Sequence, residues 1–108
     1  MKKGEIWIVD IGSTGGHEQQ GIRPAVVIAD VVGSVTTIIP CTSNLDSLRF
    51  PFTVQLEPSL KNGLSFASVV VIFQLRAIDK KKLKAKIGFL GKTEIKEIDV
   101  MMKKMLGI

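Results

Sequence analysis

Arg23 is the residue whose setting most favours chemistry. Pro24 fixes the backbone that follows it, and a continuous apolar run, Ala25-Val26-Val27-Ile28-Ala29, comes next. A guanidinium held between a Gly-rich segment and a rigid strand has two uses. It can bond the carbonyls of its own loop, or it can aim its planar fork at a phosphate, a geometry that Arg meets better than Lys. Local sequence leaves both open. His17 and Cys41 are the single His and single Cys of the chain. They are too few for a zinc set and the carboxylates are scattered, so no catalytic metal and no cofactor is expected. Segment 12–21 is Gly-rich, but it lacks the Gly-Lys-Ser/Thr of a nucleotide-binding loop and the strand-to-helix setting of a dinucleotide fingerprint. Cys41, between Pro40 and Thr42, reads as a buried inert thiol rather than a nucleophile.

A frame must hold these groups, and 108 residues allow one compact domain spanning 1–108. A core of that size is modest, and pairing of two copies through an apolar face would add to it. With 15 Lys+Arg against 10 Asp+Glu the net charge is +5, which suits a polyanion. The bias has a plain alternative in a solvated surface, because five of the seven residues in 80–86 are Lys and would keep an exposed strand soluble. The N-terminus lacks the apolar core of a signal peptide, and no apolar run nears the about 20 residues of a membrane span. A cytoplasmic protein without a membrane segment is expected.

The first part of the chain is rich in β-branched residues and punctuated by Gly and Pro, so strands dominate. They are expected at 5–10, 25–29, 35–40, 52–56, 68–73 and 82–90. Alternation puts Phe52, Val54 and Leu56 on one face of the fourth. In the sixth it sets Leu83, Ala85, Ile87 and Phe89 against Lys82, Lys84 and Lys86. The period then turns helical at Ile95, Ile98, Met102 and Met105, with Leu106 adjoining the stripe. Thr93 is the expected N-cap and Gly107 the stop, with Glu94 and Glu97 at the positive end of the dipole and Lys103 and Lys104 at the negative end. The Met-rich stripe should pack on the strands. Two loops remain, 12–21 and 44–51, the first long and polar for a hairpin.

Taken in order, the motifs resemble the MazF/PemK toxin family over essentially the whole length. They are Lys-Lys-Gly-Glu-Ile-Trp-Ile-Val-Asp at 2–10, Glu-Gln-Gln-Gly-Ile-Arg-Pro-Ala-Val-Val-Ile at 18–28, and Pro-Cys-Thr-Ser-Asn at 40–44. Phe-Pro-Phe-Thr-Val at 50–54, Gly-Leu at 63–64, Ser-Val-Val at 68–70 and Gln-Leu-Arg-Ala-Ile-Asp-Lys at 74–80 follow. The resemblance implies a mainly β, SH3-like barrel with a C-terminal α-helix, acting as a homodimer. It also implies sequence-specific cleavage of single-stranded RNA, held in check by a cognate MazE-like antitoxin. Carried over residue by residue, it makes Arg23 and Thr42 catalytic and gives His17, Glu18, Gln19, Gln20, Ser43, Asn44 and Gln74 to substrate binding. His17 stands where the family usually has Ser, and Ser43-Asn44 where it usually has Thr-Gln, so the RNA sequence recognised is not carried over.

The implied chemistry can be argued from the groups. Cleavage without a metal needs the ribose 2′-OH to attack the neighbouring phosphorus, and charge then gathers on the non-bridging oxygens. Arg23 could stabilise that charge and a Thr42 hydroxyl could donate to the same oxygens, each such contact being worth about 10²–10³ in rate. The general base is open between Glu18 and His17, since Arg and Thr are poor bases. Two other readings remain: a non-enzymatic poison like the related CcdB group, which binds DNA gyrase through its C-terminal residues, and an RNA-binding module without catalysis.

Overall fold

A computed structural model describes residues 1–12 and 21–108. Among the described residues, seven strands and one α-helix follow in chain order: β1 (Glu5–Asp10), β2 (Ile22–Val32), β3 (Val35–Thr42), β4 (Thr53–Leu56), β5 (Ser68–Val71), β6 (Arg76–Asp79), β7 (Leu83–Phe89) and α1 (Lys92–Leu106). Every pairing is antiparallel, in the order β4-β5-β3-β2-β1-β7 with β6 also on β3. The architecture is the expected mainly β, SH3-like barrel with a C-terminal helix.

β3 makes the corner. Val35 to Ile38 pair with β6, while Cys41 and Thr42 pair with β5. Pro40, which has no N–H to give a ladder, falls where the strand changes partner. The sheet is apolar on both faces. Ile6, Val26, Ile39 and Cys41 join β4, β5 and the helix in the larger cluster, and Ile95, Ile98, Met101, Met102 and Met105 supply the helical stripe. Val9, Ala25, Val27 and Ile38 form a second cluster with Trp7, Ile78 and Leu83. Glu5 is buried between β1 and β7. Burial alone would raise its pKa, but hydrogen bonds donated by Trp7 Nε1 (2.9 Å) and Lys86 Nζ (3.1 Å) outweigh that and lower it.

Several elements differ from the sequence reading. β2 and β3 run longer than 25–29 and 35–40, because their pairing extends past the apolar residues that mark them. β5 stops at Val71 and a 3-10 helix, Ile72–Gln74, takes over, leaving Phe73 exposed. β6 was not expected; its four residues carry little periodicity of their own and are organised by β3. Alternation in β7 fails twice, since Trp7 pairs with Lys86 next to Ile6 with Gly88, and Val9 with Leu83 next to Ile8 with Ala85. Each extra residue resets which side faces in. Leu83 and Ile87 therefore join different clusters, and Ala85 and Phe89 are exposed. The helix begins at Lys92 with Gly91 as N-cap, ahead of the expected Thr93, and the Gly91 N–H donates to Glu94 Oε1 at 3.0 Å. Gly107 ends it with φ 73°, a left-handed value that glycine accepts readily.

Candidate active site

Arg23 reaches the end of β3 that carries Thr42. The β2–β3 ladder ends with Ala25 opposite Pro40; beyond it Arg23 pairs with Val9 of β1 and Thr42 with Val69 of β5. Arg23 Nη1 donates to the Cys41 carbonyl at 3.4 Å. Partial burial lowers the Arg23 pKa and the like charge of Arg76 pushes the same way, against an opposing effect of Cys41. The guanidinium still stays protonated at any working pH. Thr42 is 8% exposed, and its Oγ1 accepts from the Asn44 N–H at 3.2 Å. That bond occupies a lone pair and leaves the hydroxyl proton as the group Thr42 has to give.

The remaining expected residues divide. Ser43 lines a cleft of about 390 Å³ shared with Arg23 and Pro24. Asn44 caps the 3-10 helix Leu45–Arg49, its Oδ1 accepting from the Asp46 N–H at 3.1 Å. Gln74 braces Arg76, which donates from Nη2 to Gln74 Oε1 at 3.0 Å and from Nε to its carbonyl at 3.4 Å. His17, Glu18, Gln19 and Gln20 lie outside the described residues. Thr42 is absent from the cleft lining, although its chain neighbours Cys41 and Ser43 belong to it. Cys41 is fully buried, and burial pushes its thiol up to about 12, so it stays protonated and is no nucleophile.

Segment 63–66, which the sequence reading did not assign to the site, also lines the cleft. Asn62 holds it. Its amide is 1% exposed, donating to the Glu57 carbonyl at 2.8 Å and accepting from the Ser59 and Leu64 N–H groups at 3.0 Å each. Phe89 N–H donates to the Lys61 carbonyl at 2.9 Å, and Gly63, at φ 68°, lies so close to β7 that a Cβ there would collide with the Ile87 carbonyl. Arg76, which stands in the Gln-Leu-Arg motif, lies near enough to Arg23 for its like charge to lower the Arg23 pKa. No carboxylate or imidazole is among the described residues lining the cleft, and among the described residues no group of His, Cys, Asp and Glu side chains is placed to hold a metal ion.

The sequence matches the model of the PemK-like, MazF-like toxin of type II toxin-antitoxin system over residues 2–106. The chain belongs to this toxin family. A relative named Endoribonuclease MazF, from Staphylococcus epidermidis, is 32% identical over 112 residues, covering 100% of this chain and 92% of the relative. Among solved structures, MazF from Deinococcus radiodurans superposes with a TM-score of 0.83 at 23% identity, covering 100% of this chain and 97% of that one. An endoribonuclease in complex with its cognate antitoxin, from Mycobacterial species, gives a TM-score of 0.73 at 16% identity, with 98% of this chain and 92% of that chain covered. Among the described residues of this family member no helix is long and apolar enough to cross a membrane.

Proposed function

We propose that this MazF/PemK-family toxin is an endoribonuclease that cuts single-stranded RNA at chosen sequences without a metal, using Arg23 and Thr42. The observation that carries the reading is Arg23 in the lining of an open cleft, with its Nη1 reaching the Cys41 carbonyl next to Thr42. A phosphate placed there meets a fixed cation and a hydroxyl donor together. The 2′-oxygen attacks phosphorus while its proton passes to a base, with Glu18 and His17 as candidates. The bond from phosphorus to the 5′-oxygen breaks, and that oxygen leaves with a proton taken from water, which balances the one given to the base. Arg23 and Thr42 offset the charge on the non-bridging oxygens. The products are a 2′,3′-cyclic phosphate and a free 5′-hydroxyl.

In this reading the protein works in the cytoplasm as a homodimer and is neutralised by a cognate MazE-like antitoxin. The antitoxin's acidic, partly disordered tail would cover the basic RNA site, a fit supported by the net charge of +5. Incubation with a long RNA in a metal chelator, with the cleavage ends mapped, is the direct test. Continued cutting that leaves cyclic phosphate ends is the expected result. Loss of activity on chelation, restored by a divalent ion, would overturn metal independence. RNA bound but left intact would point to a binding module, and indifference to RNA to a poison of the CcdB kind.

A further inference from the structure

Phosphate chemistry leaves much of the cleft unused. Phe66 lines it with 71% of its surface open to solvent, and Ile22 lines it at 70%. Arg23, Ser43 and Ser65 bring a cation and two hydroxyls to the same space. Apolar faces beside hydrogen-bonding groups and a guanidinium match a planar heteroaromatic ring attached to an anion. A free phosphate would leave the ring and the Ile unused, and an apolar peptide would strand the Arg23 charge. Phe66 also sits on a fixed base. Its carbonyl accepts from Ser68 Oγ at 2.9 Å, and the Leu64 N–H two residues earlier is held by buried Asn62.

Resting on the endoribonuclease reading, we propose that this cleft receives a nucleobase next to the scissile phosphate, with the Phe66 ring as its stacking platform and the Ser43 and Ser65 hydroxyls at its edge. Stacking would hold the nucleotide so that its phosphate meets Arg23, and the hydroxyls would discriminate among bases. Phe66 is then a specificity residue that touches substrate.

The test uses the intact protein and an RNA whose cleavage position has been mapped. An abasic nucleotide is placed in turn on either side of the scissile phosphate, and kcat/KM is compared between wild type and Phe66→Ala. On intact RNA the variant should lose about 10-fold or more, the scale of one lost base–aromatic stack, and an aromatic replacement, Phe66→Trp, should recover most of that loss. At one flanking position the abasic RNA should bring wild type down to the level of the variant, with no further loss in the variant. Wild-type activity in Phe66→Ala, or independent losses that multiply at both positions, would overturn the pocket. A second readout needs no cleavage: 2-aminopurine scanned along the RNA should be quenched at one position by wild type and not by Phe66→Ala. Quenching that survives in Phe66→Ala overturns the pocket alone. Phe66-dependent quenching by a wild-type protein that never cuts RNA supports the pocket and overturns the endoribonuclease reading instead.

Discussion

At the scale of single residues, the proposed chemistry rests on a cation that cannot lose its proton, Arg23, and a hydroxyl, Thr42, one of whose two lone pairs accepts from the Asn44 N–H. Arg23→Ala should reduce cleavage by at least about 10²-fold while RNA binding weakens only modestly, because the charge is aimed at the transition state and other cations hold the backbone. Arg23→Lys should restore little, since Lys keeps the charge and loses the planar fork. Thr42→Val keeps the shape and removes the hydroxyl, so its loss in rate measures that donor alone. Single-turnover rates at saturating RNA, with circular dichroism to check folding, decide the matter. A folded Arg23→Ala protein that cuts like wild type would remove Arg23 from the chemistry. Cys41 offers no rival nucleophile, because burial keeps its thiol protonated up to about 12.

At the scale of elements, the cleft depends on a loop that one buried amide ties together. Asn62→Ala leaves the Ser59 and Leu64 N–H groups and the Glu57 carbonyl without a partner, which should cost about 2–3 kcal/mol. Urea unfolding reads the stability, and KM for RNA should rise as the 63–66 wall loosens. Unchanged stability would show that water replaces the amide. Nothing in the sequence separates Asn62 from an ordinary turn residue, since its burial comes from the contact of its loop with β7. The strands and helix were legible because periodicity is a local property. The bulges in β7, the 3-10 helix after β5 and the existence of β6 depend on long-range pairing and were not. The candidate site was legible in the same divided way. Motif order singled out Arg23 and Thr42, but the reach of Arg23 to the Cys41 carbonyl beside Thr42 belongs to the fold. Phe66 carried no pattern of its own, and Asn44 is engaged as a helix cap in a way that only its turn reveals.

At the scale of the whole molecule, the basic excess has to be sorted into charge that is spent inside the fold and charge that faces a partner. Lys80 pairs with Asp30 at 2.6 Å and Lys86 with Glu5 at 3.1 Å, so the Lys-rich stretch 80–86 gives part of its charge to the protein's own carboxylates. Lys81, Lys82 and Lys84 are exposed and add to the field that draws in a polyanion. Binding of single-stranded RNA should then weaken linearly in log K against log salt, each phosphate contact adding about 0.7 to the slope. This separates the two halves of the cleft without any cleavage. Arg23→Ala removes a phosphate contact, so its slope should fall by about 0.7. Phe66→Ala removes a stack, which is uncharged, so its affinity should drop by the same factor at every salt concentration with the slope unchanged. Fluorescence titrations across a salt series measure both variants against wild type. If Phe66→Ala flattened the slope and Arg23→Ala left it intact, the division of the cleft into a phosphate side and a base side would be wrong.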